Sequence, residues 1–308
     1  MSYLKYAPLI FLCFSFSTIS AQMNSKNLKI SNSKKNSYKN LQLIPIKANN
    51  AYKKAYQNIG KYDNLKKAIE SGKIEINDSG NVNTLIAINN SNVNVYIIAG
   101  EVVKGGKQDR LVAEDVIIAP GEKKNIPAFC VEQNRWQQKE TGNNFNGYYN
   151  VSSKKVRQAA LIDKDQRKVW TNVAETTQKN AASSSTGTYA ELAKSKTYTK
   201  NLDSYLKYFK SKFTNDASIV GVIAVSGDKI IGCDIFATHD LFKNAYPGLL
   251  HSYITEAITN GDKPTLSNAE VSKYYQNFMK VEAEQEKKLQ GKGTVFRHKN
   301  KKLHLTSF

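Results

Sequence analysis

Between residues 41 and 131 the chain alternates short apolar runs with polar turn sequences. The apolar runs are rich in Val and Ile and cover residues 41–46, 73–77, 82–89, 93–98, 115–119 and 125–131. Turn-forming residues separate them, as in Asp78-Ser79-Gly80-Asn81 and Pro120-Gly121. This spacing is typical of hairpins and predicts an antiparallel sheet or a small sandwich, with one helix over 62–71.

After about residue 152 the apolar positions recur every three or four residues, which predicts helices. The helical segments cover 156–162, 169–173 and 202–209, and a Ser-rich break at 181–187 separates the last two. Two further apolar runs, 219–225 and 229–236, are joined by Ser226-Gly227-Asp228 and predict a β-hairpin. Helices are then predicted over 249–259 and 268–289, and short strands over 294–297 and 302–306.

Strands come first and helices mostly later, so the predicted fold class is α+β rather than a doubly wound parallel sheet. An N-terminal antiparallel β-rich part, either a sheet or a small sandwich, precedes a mainly helical part that contains the hairpin. Four segments are predicted along the chain: a signal peptide over 1–21, a flexible Ser-, Asn- and Lys-rich segment over 22–40, one α+β domain over 41–262, and a C-terminal helix with a basic tail over 263–308.

The N-terminal residues have the three parts of an export signal. Lys5 precedes an apolar stretch from Tyr6 to Phe16, and small residues end at Ala21 before Gln22. An apolar run of about ten residues is too short to cross a bilayer, which takes roughly 20. We therefore expect cleavage after Ala21, export to the periplasm or the extracellular space, and no integral membrane segment in the mature protein.

The formal net charge of +19 suggests a polyanionic partner at first sight. Lys and Asn are used heavily along the whole sequence, however, as in Asn49-Asn50, Asn89-Asn90 and the basic run 299–302. This pattern indicates an overall compositional bias rather than one basic face. We therefore expect no nucleic-acid partner, while a small anionic ligand stays open and protein partners stay undefined.

The sequence contains no CxxC pair and no Cys/His cluster, so neither a metal site nor another cofactor is predicted. Asp234, His239 and Asp240 carry side chains that could bind a divalent cation. Thr238 or Asp240 fits better as the N-cap of a following helix, because both precede the apolar pair Leu241-Phe242.

Two cysteines, Cys130 and Cys233, remain after the expected cleavage. Each lies in an apolar, strand-like run, where a free cysteine behaves as a small buried hydrophobe. An oxidising compartment would also allow them to pair. The sequence leaves both alternatives open.

The chemically most suggestive stretch runs from Gly100 to Arg110 and is called the motif below. Its Gly105-Gly106 pair permits close backbone approach, and its side chains combine three cations with an amide and two carboxylates. An anionic ligand could therefore be held by Lys104, Lys107, Gln108, Asp109 and Arg110. The stretch matches neither a Walker loop nor a dinucleotide GxGxxG pattern. A hairpin turn flanked by solvated charges is the competing interpretation.

The apolar run 125–131 leads into a second charged stretch that contains Glu132, Arg135 and Trp136. Arg135 and Trp136 extend the set of candidate ligand-binding residues, and Glu101 or Glu132 could act as a general base. A structural ion pair between Glu132 and an arginine explains the same residues with fewer assumptions. Trp136 could be a packing anchor or a stacking platform.

Together the two stretches resemble the ARG and rhodanese-phosphatase-superfamily-associated protein domain. The resemblance is carried by Gly100-Glu101, by the run 106–110, by Cys130-Val131-Glu132 and by Arg135-Trp136. Residues 83–89 are similar to the strand that precedes the motif in that family. The chain is also similar to later positions of the family at Arg157, in the segment 166–170 and at Asp234-Ile235-Phe236. The resemblance covers roughly residues 41–259, and Asp109 stands where Asn is more often expected.

The family's name records an association with ADP-ribosylglycohydrolases and with a phosphatase-like rhodanese superfamily. The resemblance therefore implies a nucleotide-derived or phosphorylated ligand, and it carries over no catalytic residue.

Three functions from different classes are consistent with these residues. The first is an exported domain that binds an anionic ligand without turning it over. The second is a hydrolase of a phosphorylated or ADP-ribosyl-type substrate, which needs Glu101 or Glu132 free of an arginine partner. The third is a structural, envelope-associated protein in which the motif stabilises a β-turn assembly.

Overall fold

The computed structural model of the protein describes residues 23–31, 36–137, 142–279 and 282–308. The predicted signal peptide lies outside the described residues. Within these ranges, no helix has both the length and the apolar character needed to cross a membrane.

The described residues form both strands and helices. The strands are β1 Leu28–Ile30, β2 Ser37–Tyr38, β3 Leu41–Ala48, β4 Tyr62–Asn64, β5 Ile74–Asp78, β6 Thr84–Asn89, β7 Asn94–Ile97, β8 Glu101–Lys104, β9 Arg110–Val112, β10 Val116–Ile118, β11 Lys123–Cys130, β12 Gly147–Val151, β13 Ile219–Ser226, β14 Lys229–Phe236, β15 Gly293–His298 and β16 Lys301–Ser307. The helices are α1 Asn50–Tyr56, α2 Leu65–Glu70, α3 Lys154–Gln158, α4 Gln166–Lys179, α5 Lys196–Phe209, α6 His239–Asn260, α7 Asn268–Phe278 and α8 Glu282–Leu289. A π-helical turn, Ala159–Asp163, continues α3, and a 3-10 turn, Tyr189–Lys194, precedes α5.

The largest sheet has seven strands in the order β1-β3-β13-β14-β16-β15, with β2 also paired to β3. All of its pairs are antiparallel. Strands β13 and β14 lie in the middle and are buried along almost their whole length, which explains their continuous apolar runs. The C-terminal strand β16 pairs with β14, so that Asp234 lies opposite Thr306 and Phe236 opposite His304.

Two smaller sheets pack together, and the larger of them carries the motif. One has six strands in the order β12-β8-β9-β11-β6-β5, and the other has three in the order β10-β7-β4, with β4 parallel to β7. Their shared core contains fully buried aliphatic side chains, among them Leu85, Val103, Val112 and Ile126. The motif occupies strand β8, the loop after it and the first residue of β9.

Helix α6 packs against β12, β13, β14 and α5, and most of its residues are buried. This position explains its apolar character on several faces, because a helix surrounded by protein needs no polar stripe. Thr238 caps its N-terminus and accepts the amide hydrogen of Leu241 at 3.3 Å. A side chain at Gly248 would place its Cβ 2.9 Å from Cγ2 of Val151, so glycine allows the close contact between α6 and β12.

The predicted α+β fold is confirmed, with antiparallel sheets preceding most of the helices. Several boundaries differ from the expected ones. Strands β1 and β2 lie in the segment expected to be flexible, the helix expected over 249–259 begins at His239, and the one expected over 268–289 is divided into α7 and α8. The final strands belong to the largest sheet, because β16 lies between β14 and β15.

Candidate functional site

The glycine pair of the motif lies in the loop between β8 and β9, against the chain that leads into β12. Gly105 has φ +144° and Gly106 has φ +47°. A Cβ on Gly105 would lie 2.3 Å from the carbonyl oxygen of Asn144, and one on Gly106 would lie 2.6 Å from the ring of Phe145. Both glycines are therefore required by close approach of another segment of this chain, which explains them without a ligand.

Arg135 binds this loop from one side. Its Nη1 donates to the carbonyl oxygen of Gly106 at 2.7 Å, and its Nη2 donates to that of Gly105 at 3.1 Å. Nη2 also forms ion pairs with Glu132 at 2.6 Å and with Asp109 at 3.4 Å. The side chain of Arg135 is only 12% exposed. The guanidinium thus fixes the turn and both carboxylates in one network.

The two carboxylates of this network are also bonded to the backbone and to a hydroxyl. Asp109 accepts the amide hydrogen of Gly105 at 3.1 Å and the hydroxyl of Thr188 at 2.7 Å, and Glu132 accepts the amide hydrogen of Asp109 at 2.9 Å. Burial alone would raise the pKa of Glu132, but the hydrogen bonds from Arg135 and Asp109 outweigh it and lower the pKa. Glu132 is therefore an ionised, paired carboxylate and not a free general base.

Arg110 is buried next to this network and points away from solvent. Its Nη1 donates to the carbonyl oxygen of Gln108 at 3.1 Å and to the side-chain oxygen of the same residue at 3.2 Å. The amide of Gln108 in turn donates to the carbonyl oxygen of Gln133 at 3.3 Å. Among the described residues, no carboxylate lies within ion-pair distance of Arg110. Gln108 and Arg110 thus join the motif to the strand end at 130–133.

Trp136 lies exposed beside the motif, and Lys107 and Lys104 are both half-buried, the latter at the end of β8. The ammonium of Lys107 lies 5.6 Å from the centroid of the Trp136 ring, within cation–π range. Trp136 is 55% exposed, which is unusual for so large an apolar side chain. The stem of Lys104 lies against Gly147, where a Cβ would come within 2.9 Å of it. We call Lys104, Lys107, Arg135 and Trp136 the motif rim.

Glu101 lies apart from the motif rim, at the start of β8, and is buried. Its carboxyl accepts the amide hydrogen of Ile98 at 2.8 Å and the hydroxyl hydrogen of Tyr148 at 3.0 Å. Burial, reinforced by the negative charge of Asp115, raises the pKa of Glu101 to about 8 against the opposing effect of these two hydrogen bonds. The group therefore keeps its proton at neutral pH. Both of its oxygens are used inside the protein.

A buried charged cluster, not foreseen from the sequence, lies beside Glu101. Arg157 pairs with Asp234 at 3.1 Å, and His304 contacts Asp234 through Nε2 at 3.0 Å and Asp115 through Nδ1 at 2.6 Å. The hydroxyl of Tyr253 donates to the second oxygen of Asp234. We call Asp115, Arg157, Asp234, Tyr253 and His304 the buried cluster.

Opposite charges determine the protonation of the buried cluster. Burial alone would lower the pKa of His304, but attraction and hydrogen bonds from Asp115 and Asp234 outweigh it and raise the pKa to about 9. Burial would raise the pKa of Asp234, yet Arg157 and His304 hold it well below its usual range. At neutral pH Asp234 is therefore ionised between two cations, Arg157 and protonated His304.

The sequence contained one signal for this cluster. Asp234 interrupts the apolar run 229–236, and an aspartate inside a buried strand requires charged or hydrogen-bonding partners. Its partners could not be identified, because Arg157 and His304 lie 77 and 70 positions away in the chain. Gly100 links the motif to the cluster, since a Cβ there would lie 2.7 Å from Cγ of Arg157.

The alternative metal ligands are not brought together. Asp234 belongs to the buried cluster, whereas His239 contacts the carbonyl oxygens of Ile219 and Thr214 through its two ring nitrogens. Within the described ranges, no group of three or more His, Cys, Asp and Glu side chains could hold a metal ion. Cys130 and Cys233 are both buried and both free, so the disulfide alternative is not realised.

Comparison with known proteins identifies the family. The model of the ARG and Rhodanese-Phosphatase-superfamily-associated Protein domain matches residues 29–307. The chain belongs to this family. The match extends beyond the resemblance seen in the sequence and includes the C-terminal strands β15 and β16. No curated protein and no solved structure matches the chain.

Proposed function

We propose that this member of the ARG and rhodanese-phosphatase-superfamily-associated domain family is an exported domain that binds a small anionic ligand at the motif rim without turnover. The expected signal peptide would place this activity in the periplasm or the extracellular space. The wider set Lys104, Lys107, Gln108, Asp109, Arg110, Arg135 and Trp136 divides into two roles under this proposal. Rim residues contact the ligand, and the buried residues Gln108, Asp109 and Arg110 hold the rim in position.

The observation that carries the proposal is the pair formed by the exposed ring of Trp136 and the half-buried Lys107, whose ammonium lies 5.6 Å from the ring centroid. An indole face and an ammonium side by side suit a ligand that combines a planar group with a phosphate or carboxylate. The network around Arg135 holds Lys107 and Trp136 in position, because it fixes the loop that carries Lys107 and the chain that leads to Trp136. A fixed pair loses less conformational freedom when a ligand binds.

The geometry favours binding over hydrolysis. The hydrolase alternative needs a carboxylate that is free of an arginine and open to substrate. Glu132 is paired with Arg135 at 2.6 Å, and Glu101 is buried with both oxygens engaged. Neither arrangement offers a base to a water molecule at a substrate.

Thermal unfolding of residues 22–308 in the presence of phosphate, nucleotides and ADP-ribose tests the proposal. A ligand present at about 100 times its dissociation constant should stabilise the protein by about 2.7 kcal/mol. The shift should disappear in Lys107→Ala and Trp136→Ala while both variants stay folded, and it should persist in Lys123→Ala, which removes an exposed lysine of β11.

Two results would reject the proposal. The first is no shift with any of these compounds, which would leave the motif as a purely structural clamp. The second is a shift that survives both rim substitutions, which would place the ligand elsewhere. Release of product from any compound would instead support the hydrolase alternative.

A further inference from the structure

A cleft of about 1140 Å³ lies between the β2–β3 hairpin, helix α5 and the segment that joins α6 to α7. Its walls include Tyr38, Lys39, Asn40, Gln42, Tyr205 and Lys263. None of these residues belongs to the motif rim or to the buried cluster. The volume is large enough for a small organic molecule, since ligand cavities in proteins measure roughly 300–1,000 Å³.

Gln42 provides the first sign that the cleft holds a ligand. It is only 7% exposed, and its side-chain amide makes no hydrogen bond within the described part of the chain. The amide atoms are not among the fully buried unpaired polar atoms of the described residues, so they face the cleft, where only solvent or a ligand can pair with them. Its two donor hydrogens and its acceptor oxygen are therefore available to a molecule in the cleft.

Two neighbouring groups offer further unused hydrogen-bonding capacity. The hydroxyl oxygen of Tyr205 accepts the amide hydrogen of Asn40 at 3.2 Å, and no described residue accepts the hydroxyl's own hydrogen. The side-chain nitrogen of Asn40 donates to the carbonyl oxygen of Gly261 at 2.8 Å, which fixes the amide. Its side-chain oxygen has no partner among the described residues. The wall thus combines fixed donors with a fixed acceptor.

The charged side chains that line the cleft are two lysines, Lys39 and Lys263. Lys39 donates to the hydroxyl of Ser204 at 3.1 Å and lies 5.4 Å and 5.6 Å from the ring centroids of Tyr38 and Tyr205. Lys263 is exposed, and neither lysine forms an ion pair with a described carboxylate. The described side chains that line the cleft include no acid. An anionic group would therefore be attracted here.

The N-terminus of α7 borders the cleft but is not available to an anionic ligand. Ser267 and Glu270 form a capping box there, and the carboxylate of Glu270 accepts the amide hydrogen of Ser267 at 2.8 Å. A negative charge already occupies the position that an anionic ligand would take.

We propose that the cleft binds a hydroxyl-rich small molecule with one anionic group, the chemistry shared by sugar acids and sugar phosphates. The amides of Gln42 and Asn40 and the hydroxyl of Tyr205 pair with ligand hydroxyls, since amides and phenols both donate and accept. Lys39 and Lys263 bind the anionic group, and the tyrosine rings pack against the carbon skeleton. This site is independent of the motif rim, and either can exist without the other.

Calorimetric titration of residues 22–308 with glucuronate and with glucose 6-phosphate tests this inference and distinguishes the two ligand sources. Glucose and inorganic phosphate serve as controls, because they present the sugar and the anionic group separately. The variants are Gln42→Met, which keeps an unbranched chain and removes the amide, and Lys39→Ala and Lys263→Ala. Lys123→Ala is the control of matched charge. Loss of one charge-assisted or buried hydrogen bond should weaken binding at least about tenfold.

The expected result is binding of one or both acidic sugars that is weakened in Gln42→Met, Lys39→Ala and Lys263→Ala and unchanged in Lys123→Ala. Ligand-free Gln42→Met should melt at the same temperature as the natural protein or at a higher one, because the Gln42 amide makes no hydrogen bond to the described part of the fold. The inference is overturned if neither acidic sugar binds, or if glucose or phosphate alone binds as tightly. It is also overturned if Gln42→Met binds normally or melts earlier, since Gln42 would then serve the fold.

Discussion

Among single residues, Arg135 has a central role in stabilising the motif. Replacing it by alanine leaves Glu132 and Asp109 buried without their cation and removes the donors to Gly105 and Gly106. Because breaking a buried ion pair typically costs about 3–5 kcal/mol, and Arg135 is slightly exposed, we expect Arg135→Ala to lose about 3 kcal/mol of unfolding free energy. Urea unfolding measures this loss.

Lys123→Ala is the reference for that measurement, because Lys123 is an exposed cation of the neighbouring strand β11. Its unfolding free energy should stay within about 0.5 kcal/mol of the natural value. Equal midpoints for Arg135→Ala and Lys123→Ala would show that the network around Arg135 contributes nothing.

Asp234 has the corresponding role in the buried cluster. The substitution Asp234→Asn keeps the shape of the side chain but leaves Arg157 and His304 without their shared anion. We expect a loss of about 3–5 kcal/mol, since an uncompensated buried charge is strongly destabilising. Urea unfolding is compared with Asp228→Asn at the exposed hairpin turn, which should change little. A similar midpoint for both variants would show that Asp234 does not compensate the buried charges of Arg157 and His304.

Sequence reasoning reached individual residues unevenly. It selected Glu132 and Arg135 and gave an ion pair between Glu132 and an arginine as one alternative, and the structure shows that this arginine is Arg135. It did not connect Asp234 with Arg157 or His304, since these contacts depend on how β16 pairs with β14. Local chemistry is visible in a sequence, whereas contacts between distant segments require the fold.

At the scale of elements, the loop between β8 and β9 depends on glycine for two separable reasons. Gly106 and Gly72 both have positive φ, +47° and +65°, but only Gly106 has a ring in the position that a Cβ would occupy. Gly72→Ala should therefore cost only the backbone strain, about 1–2 kcal/mol, and Gly106→Ala should cost clearly more. Chemical unfolding of the two variants measures the difference. Equal costs would mean that Phe145 moves aside freely.

The strands and helices were also predicted well where their own side chains specify them and poorly where contacts with distant segments decide. Alternating apolar runs and turn residues located β5, β6, β7, β10 and β11 correctly to within a few residues, because each strand is specified by its own side chains. The single helix expected over 268–289 instead ends at Phe278 and resumes at Glu282. The pairing of β1 with β3 and of β16 with β14 brings both ends of the described chain into one sheet, and no local pattern predicts such long-range pairing.

For the whole molecule, two buried groups make folding stability depend on pH in the same direction. His304 has an ordinary pKa of 6.5 that rises to about 9 in the folded protein, and Glu101 has an ordinary pKa of 4.5 that rises to about 8. In both cases the folded state holds a proton that the unfolded chain releases. The contribution of His304 to folding stability is complete below pH 6.5 and is lost as the pH rises through 9. The contribution of Glu101 to folding stability is complete below pH 4.5 and is lost as the pH rises through 8.

We therefore expect the urea concentration at the unfolding midpoint to decrease as the pH rises from 6.5 to 9. The variant His304→Gln should be less stable at pH 6.5, because Asp115 and Asp234 lose their shared cation, and its midpoint should fall less steeply over the same range. Each unit of pKa shift corresponds to about 1.4 kcal/mol, so the difference in slope is measurable by urea unfolding at a series of pH values. Parallel pH profiles for the two proteins would show that folding does not raise the pKa of His304. Since the comparison is made at equal pH, the loss of charge on exposed groups affects both proteins alike and cancels.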